Sequence, residues 1–300
     1  MKVKLVFIFC ALCLTAFGAD FFEQYNSQTG IVYKTVNGES LDLALIRPET
    51  KPAGGSPLMV YIHGGGWVSH DKTVLFWPDF RRVLDQLLKE GIACATIEYR
   101  LNRVGVSTAY DSVVDCKDAV RFLVKHAGEF GIDPSRIGVW GGSAGGHLTL
   151  MTALVPDENF PGAPELAGIP PAQFKCAVAY FPATTFMHPE IYTNSNFRGM
   201  GKWMSFLGSP PEDNPDMVKL LSPAEHLTPD SPPVFLLHGD QDEVLSYKNS
   251  VYMKAAGDRI GADVQLLTVT NGLHGFRGEN ISPAKTEIEK QVAFFIIDRL

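Results

Sequence analysis

The segment Gly141–Gly146, which reads Gly-Gly-Ser-Ala-Gly-Gly, constrains the fold of this sequence more than any other feature. It follows an apolar run that ends at Trp140 and precedes a predicted helix. A serine with glycine two residues before and two residues after it fits a sharp strand–turn–helix connection, because a Cβ at either flank would clash. The serine also lies at the start of a helix, where the helix dipole favours developing negative charge. We therefore interpret Ser143 as a nucleophile rather than as part of a plain glycine-rich turn.

Strands alternate with helices from residue 58 to the end of the chain, a pattern that predicts an α/β fold with a mainly parallel central sheet and helices on both faces. Before residue 58, the dipeptide Asn37-Gly38 lies between two alternating segments and predicts a hairpin, which adds antiparallel strands at the N-terminal edge of the sheet. The predicted strands are Ile31–Val36, Leu41–Ile46, Leu58–Ile62, Ile92–Ile97, Ile137–Trp140, Phe174–Phe181, Val234–Leu237 and Val264–Val269. The predicted helices are Phe80–Glu90, Ser112–His126, Gly146–Leu154, Tyr247–Ile260 and Ile288–Leu300.

The N-terminal segment, residues 1–18, has the pattern of a cleaved export signal. Two lysines precede the apolar run Leu5–Phe17, and small residues follow at the positions that a signal peptidase recognises. The run is short for a membrane span, which makes a retained anchor the weaker alternative. We expect a secreted or periplasmic protein without stable membrane insertion after cleavage.

The remaining residues, 19–300, are predicted to form one domain. Within it, residues 182–231 have no strand pattern and are rich in proline, aromatic residues and methionine. Loops of this length inside a compact domain are usually functional, so we interpret the segment as a cap or insertion.

Charge and cysteine content argue against a nucleic-acid-binding protein and against a disulfide scaffold. The chain carries 26 Lys and Arg against 33 Asp and Glu, a net charge of −7, which argues against binding to nucleic acid. Two of the five cysteines fall within the predicted signal. The others, Cys94, Cys116 and Cys176, have apolar neighbours, so buried thiols are expected, although one disulfide stays possible.

A second glycine-rich motif, His63-Gly64-Gly65-Gly66-Trp67, follows the predicted strand Leu58–Ile62. Consecutive glycines allow several backbone N–H groups to point at one position without interference from side chains. Together with the N–H of Ala144, the N–H groups of Gly65 and Gly66 are predicted to form an oxyanion hole. We expect His63, at the start of the motif, to brace this loop.

A serine nucleophile needs a histidine base and an acid that orients it, and in a strand–turn–helix fold of this kind they follow the serine in the order acid, then histidine. Asp242 lies just after the strand Val234–Leu237, and His274 is the only histidine that follows it in the sequence. Asp240 is the competing acid. The other histidines near helices and turns are expected to be structural, among them His126, His147 and His238.

Taken together, the motifs His63–Trp67, Gly141–Gly146, His238–Asp242 and His274–Phe276 resemble those of α/β-hydrolase serine esterases. The resemblance covers roughly residues 55–298 and is strongest to the bacterial acetylxylan and feruloyl esterases, which are related to the hormone-sensitive-lipase-like esterases. Gly142 departs from the latter group, which usually has an acidic residue immediately before the nucleophile.

The resemblance implies the α/β-hydrolase fold, the triad Ser143, Asp242 and His274, and carboxylic ester hydrolysis through an acyl-enzyme. It implies no metal or organic cofactor. The expected substrates are polysaccharide-linked or other small esters. Candidate substrate-binding residues are those whose large side chains follow the glycine motif or lie in the insertion, and their alternative role is packing of the cap: Trp67, Phe186, Met187, Trp203, Met204 and Phe206.

Three other functions remain open from the sequence. A serine peptidase of the prolyl-oligopeptidase type shares this kind of sheet, but it usually has an aromatic residue where this chain has Ala144. An arylformamidase or a lactonase would use the same triad on a related bond. A non-catalytic binding protein on the same scaffold would tend to lose a triad member, and all three are present here.

Overall fold

A computed structural model describes residues 21–192 and 200–300 of the chain, so the predicted export signal, residues 1–18, lies outside the described residues. The central sheet has eight strands in the order β1-β2-β4-β3-β5-β6-β7-β8. The β1–β2 and β2–β4 pairs are antiparallel and the other pairs are parallel, which confirms the predicted α/β sheet with an antiparallel N-terminal edge. The strands are β1 (Asn26–Val36), β2 (Glu39–Arg47), β3 (Ser56–Ile62), β4 (Ala93–Ile97), β5 (Ile132–Gly142), β6 (Phe174–Tyr180), β7 (Val234–Gly239) and β8 (Val264–Val269).

The helices mostly begin and end within a few residues of the predicted positions. The helix predicted from Ser112 begins three residues earlier, because Asp111 accepts a hydrogen bond from the backbone N–H of Thr108 at 2.8 Å and completes a capping box. The α-helices of the described residues are α1 (Pro78–Lys89), α2 (Ala109–Lys125), α3 (Ala127–Phe130), α4 (Ala144–Leu154), α5 (Pro189–Tyr192), α6 (Met200–Phe206), α7 (Pro215–Leu220), α8 (Lys248–Ile260) and α9 (Lys285–Ile297).

The two faces of the sheet are covered by different helices, as strand β3 shows most clearly. Leu58, Val60 and Ile62 belong to the hydrophobic cluster that includes residues of α2, α4 and α8. Met59 and Tyr61 belong to the cluster formed with α1 and α9. Because side chains alternate across a strand, a continuous apolar run such as β3 is buried on both sides. The two helical layers therefore hold the sheet in place, and with it the carboxyl ends of β3 and β5, where the two glycine motifs begin.

Buried ion pairs hold the N-terminal hairpin against helix α2. The Lys34 ammonium lies 2.8 Å from a carboxylate oxygen of Asp115 and 2.7 Å from one of Asp118, and both carboxylates are fully buried. Arg100 also pairs with Asp115 at 2.7 Å. Removal of one partner would leave an uncompensated buried charge, so the Lys34 pairs link β1 to the helix and Arg100 links the segment after β4 to it.

The connection between β6 and β7 corresponds to the predicted insertion, residues 182–231. Its described part contains the short helices α5, α6 and α7 and no strand. Residues 193–199 of this connection lie outside the described residues. The three described cysteines, Cys94, Cys116 and Cys176, are buried thiols without disulfides. In the part of the chain that the structure covers, no helix is long and apolar enough to cross a membrane.

Candidate active site

The connection between β5 and α4 places Ser143 at a strained point of the backbone. Its φ of +59° is uncommon for a residue other than glycine, and its N–H donates to the carbonyl of Tyr180 at 2.9 Å. A Cβ at Gly141 or at Gly145 would collide with the carbonyl oxygen of Ile62 on the neighbouring strand. The flanking glycines are therefore required by close backbone contact, and the turn lifts the Ser143 side chain above the carboxyl end of the sheet.

Loops after β7 and β8 bring a histidine and a carboxylate to this serine. His274 Nε2 lies 3.0 Å from Ser143 Oγ, and His274 Nδ1 lies 2.7 Å from Asp242 Oδ2. The short second distance is that of an N–H donating to a carboxylate, which leaves Nε2 as the acceptor for the serine hydroxyl. The histidine ring also packs against Phe181, with ring centroids 4.6 Å apart. Ser143, His274 and Asp242 can therefore act as nucleophile, base and orienting acid.

The other oxygen of the Asp242 carboxylate is held by the backbone. Oδ1 accepts from the N–H groups of Val244 and Leu245 at 2.8 and 2.9 Å. Burial alone would raise the pKa of Asp242, but the hydrogen bond from His274 and the imidazole of His238, with Nε2 3.4 Å from Oδ2, outweigh it and hold the pKa well below its usual range. Asp242 thus stays ionised at neutral pH and stabilises the protonated form of His274.

The competing acid, Asp240, does not contact His274. Its Oδ1 instead accepts from the backbone N–H of Asn271 at 2.8 Å and joins the loops after β7 and β8. His238 is fully buried beside Asp242: its Nε2 donates to the carbonyl of Leu245 at 2.9 Å, and its Nδ1 accepts from the Ser250 hydroxyl at 2.7 Å. His238 therefore holds the backbone of the turn that carries Asp242.

The loop that starts at His63 packs directly against the nucleophile turn. A Cβ at Gly64 would lie 2.7 Å from the carbonyl oxygen of Gly142, and Gly65 and Gly66 have φ values of +104° and +62°. Within the described residues, the N–H groups of Gly65, Gly66 and Ala144 have no hydrogen-bond acceptor. Unpaired N–H groups beside a nucleophile are suited to stabilising an oxyanion.

Two buried contacts keep this loop in place. The Tyr99 hydroxyl donates to the carbonyl of His63 at 2.9 Å, and the His63 and Tyr99 rings stack with centroids 4.3 Å apart. The indole Nε1 of Trp67 donates to Nδ1 of His147 at 3.2 Å. Burial lowers the pKa of His147 from 6.5 to about 4, although its hydrogen bond to the Leu221 carbonyl opposes the shift. The ring is therefore neutral at pH 7.

A cavity of about 470 Å³ opens beside Ser143 and His274. This volume is within the usual range for small-molecule sites. Its floor and walls are mainly aromatic, and charged side chains lie among the lining residues. The lining includes Tyr61, Gly64, Gly65, Gly66, His70, Trp77, Asp79, Phe80, Tyr180, Phe181, Phe276, Arg277 and Lys285.

A second, much smaller cavity of about 40 Å³ also reaches Ser143. Gly66, Trp67, Phe206 and Leu245 are among the residues that line it. His274 lines the larger cavity and not this one. The nucleophile therefore lies between two cavities of very different size.

The predicted substrate-binding residues fall into two groups, those that line a cavity at Ser143 and those that do not. Trp67 and Phe206 line the small cavity, whereas Phe186, Met187, Trp203 and Met204 line neither cavity at Ser143. Phe186 and Trp203 are buried, and both pack against Phe206, with ring centroids 4.7 and 6.2 Å away. Those two aromatic residues therefore pack within the β6–β7 connection, away from both cavities.

Sequence reasoning missed the aromatic walls of the larger cavity, formed by His70, Trp77, Phe80 and Phe181. Phe181 could have been identified, because it directly follows the carboxyl end of a parallel strand, where ligands bind in open α/β sheets. His70 and Trp77 lie between the glycine motif and helix α1, Phe80 lies in the first turn of α1, and none of the three belongs to a motif. Over the described ranges, no group of three His, Cys, Asp or Glu residues is placed to hold a metal ion.

Comparisons with known proteins agree with this geometry. The model of the BD-FAE family matches residues 41–256. Esterase LipQ of Mycobacterium tuberculosis is 26% identical over 261 residues, which cover 84% of this chain and 58% of LipQ. The probable carboxylic ester hydrolase LipM of the same organism is 30% identical over 201 residues, which cover 66% of this chain and 44% of LipM. The chain thus spans about half the length of these relatives.

Among solved structures, esterase 2 of Thermogutta terrifontis is similar over nearly its whole length. The form phosphoramylated by tabun is 27% identical, with a TM-score of 0.73 over 91% of this chain and 94% of that chain. The propionate-bound form is 26% identical, with the same TM-score and the same coverage.

Proposed function

Because this chain belongs to the BD-FAE family of α/β-hydrolases, whose model spans residues 41–256, we propose that it is a carboxylic ester hydrolase. The single observation that carries the proposal is the hydrogen-bonded series Ser143, His274 and Asp242 at the meeting point of two cavities. The similarity to esterases from Mycobacterium tuberculosis and Thermogutta terrifontis supports it.

The proposed reaction proceeds through an acyl-enzyme. His274 Nε2 takes the proton of the Ser143 hydroxyl while Oγ attacks the ester carbonyl carbon. The N–H groups of Gly65, Gly66 and Ala144 stabilise the negative charge that forms on the carbonyl oxygen. His274 then transfers the proton to the leaving alcohol, and the C–O ester bond breaks. A water molecule, activated by the same histidine, attacks the acyl-enzyme and releases the carboxylic acid.

The position of the base assigns the two halves of the ester to the two cavities. His274 must protonate the leaving oxygen, so the alcohol lies on the side of the histidine, in the larger cavity. The acyl group then extends toward the cavity of about 40 Å³ bounded by Trp67 and Phe206. One water molecule needs about 10–15 Å³ on this measure, so the small cavity holds only a short chain. We propose that the enzyme prefers acetyl and similarly short acyl groups on a larger alcohol.

We further propose that the enzyme acts outside the cytoplasm, on polysaccharide-linked or other small acylated alcohols. The basic residues and apolar run of residues 1–18 support export. The resemblance of the motifs to acetylxylan and feruloyl esterases supports an acylated sugar. Sequencing of the N-terminus of the protein recovered from the periplasm or the medium tests export: a start at Ala19 is expected, and an intact Met1 would overturn it.

A series of 4-nitrophenyl esters with acetyl, butyryl, hexanoyl and octanoyl groups tests the short-acyl assignment. The proposal predicts that kcat/KM falls by about tenfold or more between butyrate and octanoate, because the longer chain does not fit in the small cavity bounded by Trp67 and Phe206. A kcat/KM that stays level or rises with chain length would contradict the assignment.

A further inference from the structure

We propose that Arg277 forms a carboxylate-binding subsite in the larger cavity, so that the alcohol half of the preferred ester carries an acidic group. The inference rests on the proposed function, because it takes this cavity as the site of the alcohol. It goes beyond that function by naming a chemical class of substrate and the residue that recognises it.

A tight turn fixes Arg277 relative to the catalytic base. The N–H of Leu273 donates to the Arg277 carbonyl at 2.7 Å, and the N–H of Phe276 donates back to the Leu273 carbonyl at 2.9 Å. Within the same turn, Arg277 Nε donates to the carbonyl of His274 at 3.0 Å. The guanidinium is therefore held beside the histidine that handles the leaving alcohol, while the side chain remains exposed and lines the cavity.

Among the described residues that line this cavity, Arg277 is the permanently charged side chain without an oppositely charged partner. Of the other two such groups in the lining, Lys285 and Asp79 neutralise each other, with Lys285 Nζ 2.9 and 3.1 Å from the two Asp79 oxygens. Across residues 21–192 and 200–300, no carboxylate lies within 4.0 Å of the Arg277 guanidinium. Because Nε already has an acceptor, the two terminal NH₂ groups remain as donors toward a ligand.

The negative net charge of the chain contrasts with the unpaired positive charge of Arg277 in the cavity. With a net charge of −7, the protein on average repels anionic substrates. An unpaired cation in the pocket of such a protein offsets that repulsion locally. The planar guanidinium, with adjacent N–H donors, matches the two oxygens of a carboxylate. The aromatic walls nearby, Trp77 and Phe181 among them, would contact the uncharged part of the same alcohol.

Two acetate esters that differ by one carboxylate test the subsite: 4-nitrophenyl acetate and 3-carboxy-4-nitrophenyl acetate. We expect the ratio of their kcat/KM values, carboxylated over neutral, to fall about threefold to tenfold in Arg277→Gln, a range that allows for solvent screening of an exposed charge. Arg277→Lys should give an intermediate ratio, because the charge remains and the two-pronged geometry is lost.

The control is Lys290→Gln on helix α9, which removes one exposed positive charge that lines neither cavity at Ser143 and should leave the ratio as in the unmodified protein. If Arg277→Gln also leaves the ratio unchanged while both esters are hydrolysed, the subsite is overturned and the proposed function stands.

Calorimetric binding of the carboxylated product, 5-hydroxy-2-nitrobenzoate, tests the subsite independently of turnover. Binding that weakens at least threefold in Arg277→Gln supports it, even if neither ester is hydrolysed and the proposed function has failed. Equal affinity in the two proteins would overturn it.

Discussion

The indole Nε1 of Trp67 and the Nδ1 of His147 share a buried hydrogen bond of 3.2 Å, which joins the glycine loop to the helix that carries the nucleophile. The other nitrogen of the same imidazole, Nε2, donates to the carbonyl of Leu221 in the β6–β7 connection at 2.8 Å. One neutral histidine thus connects three segments that meet at the active site. A second proton on Nδ1 would remove the acceptor for Trp67.

The low pKa of His147 predicts a specific loss of stability in acid. The folded protein binds this proton only near pH 4, whereas the unfolded chain binds it near pH 6.5, so the free energy of unfolding falls as pH drops through that window. The matched variant is His147→Gln, whose side chain keeps a donor and an acceptor but does not titrate. Between pH 7 and pH 4 the free energy of unfolding should fall by about 3 kcal/mol more in the unmodified protein than in this variant. Urea denaturation at a series of pH values measures this, and parallel curves for the two proteins would contradict it.

The close contact at Gly145 predicts opposite results for two glycine-to-alanine substitutions. Gly145→Ala forces a Cβ against the Ile62 and His63 backbone and should lower the free energy of unfolding by about 1–3 kcal/mol, with loss of most esterase activity. Gly128→Ala, in helix α3, has open space and an ordinary φ, and should be neutral or stabilising by up to about 1 kcal/mol. Equal effects of the two substitutions on unfolding would show that the nucleophile turn is not packed as described.

The different contacts of Asp242 and Asp240 predict different kinetic effects. Asp242→Asn should lower kcat by about 10³–10⁴, because the amide no longer holds His274 in the tautomer that accepts the serine proton. Asp240→Asn keeps an oxygen that can accept from Asn271 N–H and should retain at least about a third of the activity. Rates of 4-nitrophenyl acetate hydrolysis decide between them, and a larger loss in Asp240→Asn would reassign the acid.

The small cavity predicts that one buried phenylalanine sets the acyl chain length. Phe206→Leu removes part of its wall and should shift the kcat/KM preference from acetate toward butyrate or hexanoate by about threefold to tenfold. Phe186→Leu is the matched control, because Phe186 is buried in the same aromatic cluster but lines neither cavity. An equal shift in both variants would mean that general loosening of the core, rather than the wall, changes the preference.

The parts of the fold that the sequence predicted well are those specified by local sterics. The glycines around Ser143 are required by backbone contacts within one strand–turn–helix unit, so the motif alone located them. Strand β8 has the predicted bounds, Val264–Val269. The acid and the base follow from chain order, because consecutive parallel strands bring their carboxyl ends to one edge of the sheet.

The aromatic residues could not be sorted from the sequence, because their roles depend on three-dimensional packing. Trp203 and Phe206 are three residues apart on helix α6, and both are buried, yet only Phe206 lines a cavity at Ser143. Trp77 is half exposed and lines the larger cavity, although nothing in its neighbourhood forms a motif. Composition showed that residues 182–231 are rich in aromatic side chains, but not which of those side chains line a cavity at Ser143.

Hydrolysis of 4-nitrophenyl acetate by the chain from Ala19 onward, compared with its Ser143→Ala variant, tests the central claim most directly. We predict turnover by the unmodified protein and a loss of at least about 10³-fold in the variant, with both proteins folded by circular dichroism. Equal activity of the two proteins would contradict the assignment of Ser143 as the nucleophile. Absence of activity in the folded, unmodified protein on this ester and on longer acyl chains would contradict the esterase function itself.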